Sequence, residues 1–277
     1  MNVESQFSVA GYGVIVTGGA SGLGLAYAEA MAAGGARVTL LDVDPDRIAN
    51  ETARLQGEGF DVRGTVVDVT DHAGLDGAVD EAAEMYGRLD VAFANAGIDP
   101  GPGFVGAWAG GSRPRNDDGA IELYTDERWN RVIDINLNGV FATVRAAARH
   151  MRPRRSGSII VTTSLASHNV EPAIGSAYMA AKAGAAHFMR CAALELAGFG
   201  IAVNAIAPGF FVTNIGGGHA HNPDVQAAIG KDIPMGRVAF PDDIKGLALF
   251  LASPASGYIT GQEIVIDGGW GLGTADA

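Results

Sequence analysis

The sequence predicts an α/β fold, a doubly wound parallel sheet of about seven strands with helices on both faces. Two observations carry this reading. Short runs rich in β-branched residues alternate with longer helical stretches along nearly the whole chain. Several of the short runs are apolar almost throughout, as strands covered on both faces of a parallel sheet must be. Regular alternation of strand and helix implies right-handed βαβ units.

The elements follow in order. The strand GVIVTG (13–18) runs through a glycine-rich turn into a helix over 22–34. RVTLLD (37–42) precedes a helix over 45–57, and DVRGTVVD (61–68) precedes one over 71–87. The fourth strand is LDVAFANAG (89–97). Helices over 125–152 and 176–198 flank GSIIVTTS (157–164), and IAVNAIAPG (201–209) follows them. A helix over 241–252 and the strand QEIVIDGG (262–269) close the chain. No linker, charge break or internal repeat divides the 277 residues, so 1–277 reads as a single domain.

Two segments break the rhythm. Residues 98–124 are rich in Gly and Pro and punctuated by aromatics, and 209–235 contain GGGHAHNP followed by a short helical piece. Both follow carboxyl ends of strands, where open α/β sheets bind ligands. The first reads as an insertion loop and the second as a substrate-binding lid.

Composition excludes several function classes. A net charge of -12 argues against nucleic acid, anionic membrane surfaces and acidic protein partners. The basic run RHMRPRR around Arg149 to Arg155 reads as a helix C-terminus favoured by the macrodipole. Cys191 stands alone, which rules out internal disulfides and thiolate metal clusters, and its alanine-rich surroundings suggest a buried, inert thiol. No charge-free stretch reaches membrane-spanning length, and the N-terminus lacks the basic start of a signal peptide. The expected location is the cytoplasm.

The turn TGGASGLG, Thr17 to Gly24, lies between the first strand and the first helix. Its glycines at 18, 22 and 24 let the backbone approach a pyrophosphate, and the helix start offers free N–H groups and a positive dipole end. The Gly-Lys-Ser/Thr of a nucleotide-hydrolysing loop is absent. Asp42 ends the second strand 18 residues past Gly24, near the roughly 20 expected for an acid that grips a ribose 2′-hydroxyl. A carboxylate there repels a 2′-phosphate and no Lys or Arg in the turn offsets it, so NAD is favoured over NADP.

In SAYMAAKAG, 176–184, Tyr178 and Lys182 are four apart and share a helix face. A surface pair is one reading; a phenol tuned by an ammonium is the other.

These motifs together resemble the short-chain dehydrogenases/reductases over roughly residues 10 to 270, implying a Rossmann-like fold. TGGASGLG is similar to the family's T-G-x-x-x-G-x-G turn, which carries Gly18, Ser21, Gly22, Leu23 and Gly24 over as cofactor contacts. Asp68-Val69 resembles the adenine-contacting pair, and Asn95-Ala96-Gly97 the Asn-Ala-Gly that ends the fourth strand. Asn136, Ser164, Tyr178 and Lys182 resemble the catalytic tetrad. Pro208-Gly209, Phe211 and Thr213 are similar to the turn that receives the nicotinamide carboxamide. TGQEIVIDGG, 260–269, resembles the usual closing strand. The stretch after Gly97 is longer than is usual for the family by roughly a dozen residues. VTTS replaces a Ser-Ser doublet, which leaves Thr163 as the fallback for Ser164.

The resemblance implies an NAD-dependent oxidoreductase that interconverts a secondary alcohol and its ketone. Tyr178 would exchange the proton, with Lys182 lowering its pKa and holding the nicotinamide ribose. Ser164 would hold the substrate oxygen, and Asn136 would anchor a water that completes a proton relay. Alternatives are a 3-oxoacyl thioester reductase using NADPH and a non-catalytic NAD sensor or scaffold. A small-molecule substrate and a homotetramer or homodimer, built through the helices at 125–152 and 176–198, are expected.

Outside these motifs, His219 and His221 could pair on a metal, but no third ligand completes a site, so no metal is expected. His168 is a candidate substrate contact; His72, His150 and His187 read as structural. Phe104, Trp108, Tyr124 and Phe210-Phe211 would favour an apolar or cyclic substrate if both irregular segments folded over the site.

Overall fold

A computed structural model describes residues 3–99, 101–106, 114–215 and 217–273. Seven strands form one sheet in the order β3-β2-β1-β4-β5-β6-β7. They are β1 (Gly13–Thr17), β2 (Arg37–Asp42), β3 (Val62–Val66), β4 (Val91–Ala94), β5 (Gly157–Thr162), β6 (Ile201–Pro208) and β7 (Glu263–Ile266). Every pairing is parallel. The order reverses between β1 and β4, so the connections leave in opposite directions there and open a crevice at the strands' carboxyl ends.

A four-residue α1 (Val3–Gln6) precedes the sheet. One face is covered by α4 (His72–Tyr86), α6 (Gly139–Arg154) and α7 (Ser176–Ala197), with Leu75, Ala146 and Met189 among the fully buried contacts. The other carries α2 (Gly22–Ala33), α3 (Pro45–Gly57) and α9 (Lys245–Ala252), with Met31, Leu55 and Leu251 buried. Alanine dominates these inner faces, which lets helices sit close to the sheet. Central β1 and β4 are buried at every position, matching their apolar sequences.

The edges depart from the sequence reading. β3 is shorter than 61–68 and mostly exposed, because it lies at the sheet's rim and carries polar residues at Arg63 and Thr65. β7 forms the opposite rim and spans four residues of the expected 262–269. The helix expected over 125–152 is two helices, α5 (Asp126–Ile133) and α6, joined by a π turn at Asp134–Asn138. Asn136 Nδ2 donates to the Val132 carbonyl four residues back and competes with the helical ladder there. After α8 (Pro223–Gly230), Pro241–Ile244 likewise forms a 3-10 turn ahead of α9.

The basic run ends α6 as expected, with Arg155 at φ 52 in the cap. Arg152 and Arg155 stack over Phe199, and Arg155 donates to the Gly198 carbonyl. Cys191 is exposed rather than buried, because the inward stripe of α7 passes through Met189, Ala192 and Ala193. Among the described residues no helix is long and apolar enough to cross a membrane.

Candidate active site

The crevice holds a cavity of about 970 Å³, walled by the carboxyl ends of β1 to β6 and the segments that follow them. Its floor is the glycine turn. Gly18 and Gly22 take positive φ, 64 and 53, and Gly18, Ser21, Gly22 and Leu23 all border the cavity. Gly24 lies behind them, where a Cβ would overlap the Gly18 carbonyl and come 2.6 Å from Asn95 Nδ2. Ser21 caps α2 without a side-chain hydrogen bond, so the first-turn N–H groups remain for a ligand. A close backbone, a helix start and no filling side chain make a cradle that fits a dinucleotide pyrophosphate.

Asp42 borders the cavity at the end of β2. Its Oδ2 accepts from Ala20 N at 3.1 Å and its Oδ1 from Asp44 N at 3.2 Å, which fixes the carboxylate against the glycine turn. The sequence reading missed Arg47, in the first turn of α3. It also borders the cavity, with its Nε 3.1 Å from Asp44 Oδ2. A basic residue opening the second helix was the available signal.

Asp68 and Val69 border the same end, with Asp68 Oδ1 accepting from Thr70 N and Thr70 Oγ1 at 2.9 and 2.8 Å. Asn95, Ala96 and Gly97 line the middle. Asn95 Nδ2 donates to the Thr17 carbonyl at 3.0 Å while its Oδ1 accepts from Thr162 Oγ1 at 3.1 Å, tying β1, β4 and β5 together. Pro208, Gly209, Phe211 and Thr213 line the β6 side.

The tetrad residues come together. Ser164 ends the β5 segment and its Oγ accepts from Ala166 N at 3.1 Å; its hydroxyl faces the Tyr178 phenol across the cavity wall. Thr163, the fallback, turns its hydroxyl away to Glu263 Oε1 at 2.6 Å. Lys182 is 3% exposed, with Nζ 5.5 Å from the Tyr178 ring centre, and donates to the Thr162 carbonyl at 2.8 Å. The π turn brings Asn136 beneath Gly97: a Cβ built there would lie 2.7 Å from Asn136 Oδ1 and 3.6 Å from Lys182 Nζ. Asn136 Oδ1 is buried and has no protein partner.

The electrostatics correct one expectation. Lys182 was expected to lower the phenol, yet the enclosure around Tyr178 pushes it up to about 12. The neighbouring Ser164 hydroxyl opposes that rise and the Asp99 charge adds to it. Burial also pushes Lys182 down to about 8. Left to the protein's own residues, the phenol is an acid at neutral pH.

The histidine candidates fall outside the cavity wall. His168 turns its Nε2 to Glu263 Oε2 at 3.0 Å. His221 pairs with Asn214 Oδ1 at 3.0 Å, and His150 with Asp80 Oδ1 at 2.7 Å. Among the described residues no three His, Cys, Asp or Glu side chains converge. Of the loop aromatics, Phe211 borders the cavity. Phe210 packs instead in a small cluster with Val212 and Trp270. Tyr124 meets Trp129 edge-on under Arg128, Phe104 is exposed, and Trp108 lies outside the described residues. The insertion segment pairs with 172–174 beside the site, through Gly103 N to Ala173 O and Val105 N to Pro172 O. It gives the cavity Ile98 and Asp99.

A crevice of this shape at the switch point of a parallel sheet, ending on a phenol and an ammonium, defines a dinucleotide-dependent oxidoreductase. Comparison with known proteins gives the family. Residues 18–271 match the family described as enoyl-(acyl carrier protein) reductase. Galactitol 2-dehydrogenase of Agrobacterium fabrum is 37% identical over 269 residues, covering 92% of this chain and 95% of that protein. Sorbose reductase of Candida albicans is 31% identical over 270 residues, 97% and 90% of the two chains. The crystal structure of a gluconate 5-dehydrogenase from Burkholderia cenocepacia J2315, in complex with NADP and tartrate, superposes with a TM-score of 0.84 at 30% identity. It covers 97% of this chain and 98% of that one. The chain belongs to the short-chain dehydrogenase/reductase family, and its chemistry is the interconversion of a secondary alcohol and a ketone with a nicotinamide cofactor.

Proposed function

We propose that this chain is an NAD-dependent dehydrogenase of a neutral secondary alcohol, with polyols and their ketoses as the first substrate class to test. The single observation that carries the reading is the Ser164 hydroxyl and the Tyr178 phenol side by side on the cavity wall, with buried Lys182 one helical turn behind. A nicotinamide dinucleotide bound along the cavity would supply the hydride acceptor or donor and, when oxidised, a positive charge that favours the phenolate.

The chain's residues do the rest. In oxidation Tyr178 takes the proton from the substrate hydroxyl; in reduction its phenol returns that proton to the carbonyl oxygen. Ser164 holds the same oxygen and stabilises the charge that develops on it. Lys182 supplies a cation close to the phenol and a donor toward the cofactor ribose. Asn136 Oδ1, a buried acceptor in need of a donor, is placed to serve a proton path beside Lys182. The pyrophosphate would rest on Gly18, Ser21, Gly22 and Leu23, behind which Gly24 keeps the backbone close, and the ribose on Asp42. Asp68 and Val69 would border the adenine, Asn95, Ala96 and Gly97 the middle, and Pro208, Gly209, Phe211 and Thr213 the nicotinamide.

Two observations support the polyol class. Asp99 enters the cavity near the phenol, where a carboxylate accepts bonds from neighbouring hydroxyls and repels an anionic substrate. The names of two similar proteins, galactitol 2-dehydrogenase and sorbose reductase, point the same way. Asp42 supports NAD, since it repels a 2′-phosphate. A second reading, a 3-oxoacyl thioester reductase using NADPH, is favoured by the name of a 34% identical protein, the 3-oxoacyl-[acyl-carrier-protein] reductase of Chlamydia pneumoniae, and Arg47 is the group a 2′-phosphate would turn to.

We also propose that the chain works as one catalytic domain in the cytoplasm and assembles as a homotetramer. Phe141 and Leu194, 41% and 85% exposed on α6 and α7, give those helices apolar outer surface.

The test is nicotinamide reduction with galactitol, sorbitol, threitol, cyclohexanol, gluconate and a 3-hydroxyacyl thioester, with NAD⁺ and NADP⁺ in parallel. Turnover of a polyol with NAD⁺ is expected. Turnover of the thioester with NADP⁺ would put the second reading in its place.

A further inference from the structure

Glu263 is an acid in the otherwise apolar strand EIVI, and its side chain is only 2% exposed. It lies outside the cavity wall, on the far side of the segment that carries Ser164. A buried carboxylate is costly unless both oxygens are satisfied, and here both are. Oε1 receives the hydroxyls of Thr163 at 2.6 Å and Ser167 at 2.7 Å. Oε2 receives Arg190 Nη2 at 3.1 Å and faces His168 Nε2 at 3.0 Å.

Three of these four partners belong to one stretch, and they bracket Ser164 on both sides. Ser167 also places its hydroxyl 2.6 Å from the Ser164 carbonyl and donates its N–H to that oxygen at 2.9 Å. The remaining freedom of Ser164 is its side chain, which the Ala166 N–H holds at 3.1 Å. We propose that Glu263 is a positioning residue for Ser164: its carboxylate pins Thr163, Ser167 and His168 so that the Ser164 hydroxyl meets the Tyr178 phenol. Arg190 on α7 ties the same carboxylate to the helix that carries Tyr178 and Lys182, so both halves of the site share one anchor.

The inference rests on Ser164 holding the substrate oxygen, and the test separates the two ideas. The experiment is a double-mutant cycle of Glu263→Gln and Ser164→Ala, measured with NAD⁺ and whichever panel alcohol the wild type turns over fastest. NAD⁺ binding is followed in parallel by fluorescence. Glu263→Gln keeps the shape but removes the charge and half the acceptor capacity. In the wild-type background it is expected to lower kcat about tenfold while the NAD⁺ dissociation constant moves less than about twofold. In the Ser164→Ala background it is expected to cost less than about twofold, because the residue it positions is gone.

Equal losses in both backgrounds, or no loss in the wild type, would overturn the proposal. A Ser164→Ala variant as active as wild type would instead sink the reading beneath it. If Glu263→Gln fails to fold, Ser167→Ala removes one arm of the anchor and takes its place in the same cycle, with the same two outcomes.

Discussion

Lys182 Nζ donates to the Thr162 carbonyl at 2.8 Å, so the buried ammonium is tethered to β5 two residues before Ser164. The tether and the helix spacing to Tyr178 fix the cation behind the phenol. Its cost is desolvation, which draws Lys182 down to about 8.

That cost predicts a pH signature in stability. Lys182 in the folded protein releases its proton near 8, well below an unfolded lysine, so between about 8 and 10 the unfolded chain holds more protons. Stability therefore rises with pH across this window, by up to roughly 1 kcal/mol per pH unit from this group. Above about 10 the raised Tyr178 phenol acts in reverse, since unfolded tyrosine ionises first. Urea unfolding of wild type and Lys182→Met at several pH values reads the difference. Lys182→Met should lack the rising slope; identical slopes would contradict the assignment.

The glycines give a prediction of sign. Gly24→Ala places a methyl against the Gly18 carbonyl and Asn95, and should cost about 1–3 kcal/mol and weaken NAD⁺ binding. Gly77→Ala, in α4 with nothing within 4 Å of its Cβ, should stabilise by about 0.5–1 kcal/mol. Thermal melts decide both. A neutral Gly24→Ala would mean that the turn is not held close to α2.

Asp42→Asn tests cofactor choice by removing charge with little change of shape. The ratio of kcat/KM for NAD⁺ over NADP⁺ should fall at least about tenfold, since a charge-assisted hydrogen bond contributes roughly 1.5–3 kcal/mol. Adding Arg47→Ala should lower NADP⁺ use again if Arg47 meets the 2′-phosphate. An unchanged ratio in Asp42→Asn would remove Asp42 from the discrimination.

Much of this was legible in the sequence because the decisive signals are local. The helix over 45–57 is found at those limits, since Asp44 caps it and Pro45 opens it. The glycine turn, Asp42 and the Tyr178–Lys182 spacing are short patterns whose geometry follows from strand and helix periods. What stayed hidden depends on contacts far apart in the chain. The π turn at Asn136 answers to Gly97 and Val132, and the raised phenol depends on the enclosure made by several segments. Glu263 binds a segment about a hundred residues earlier, and no local pattern announces that. His168 was read toward the substrate because Ser164 is near in sequence, but Glu263 claims it.

The central claim is that Tyr178 carries the proton, and Tyr178→Phe tests it most directly. Turnover of the preferred alcohol with NAD⁺ should fall at least about a thousandfold, while the NAD⁺ dissociation constant stays within about threefold of wild type. A variant that still turned over near the wild-type rate would contradict the account, whatever else the site binds.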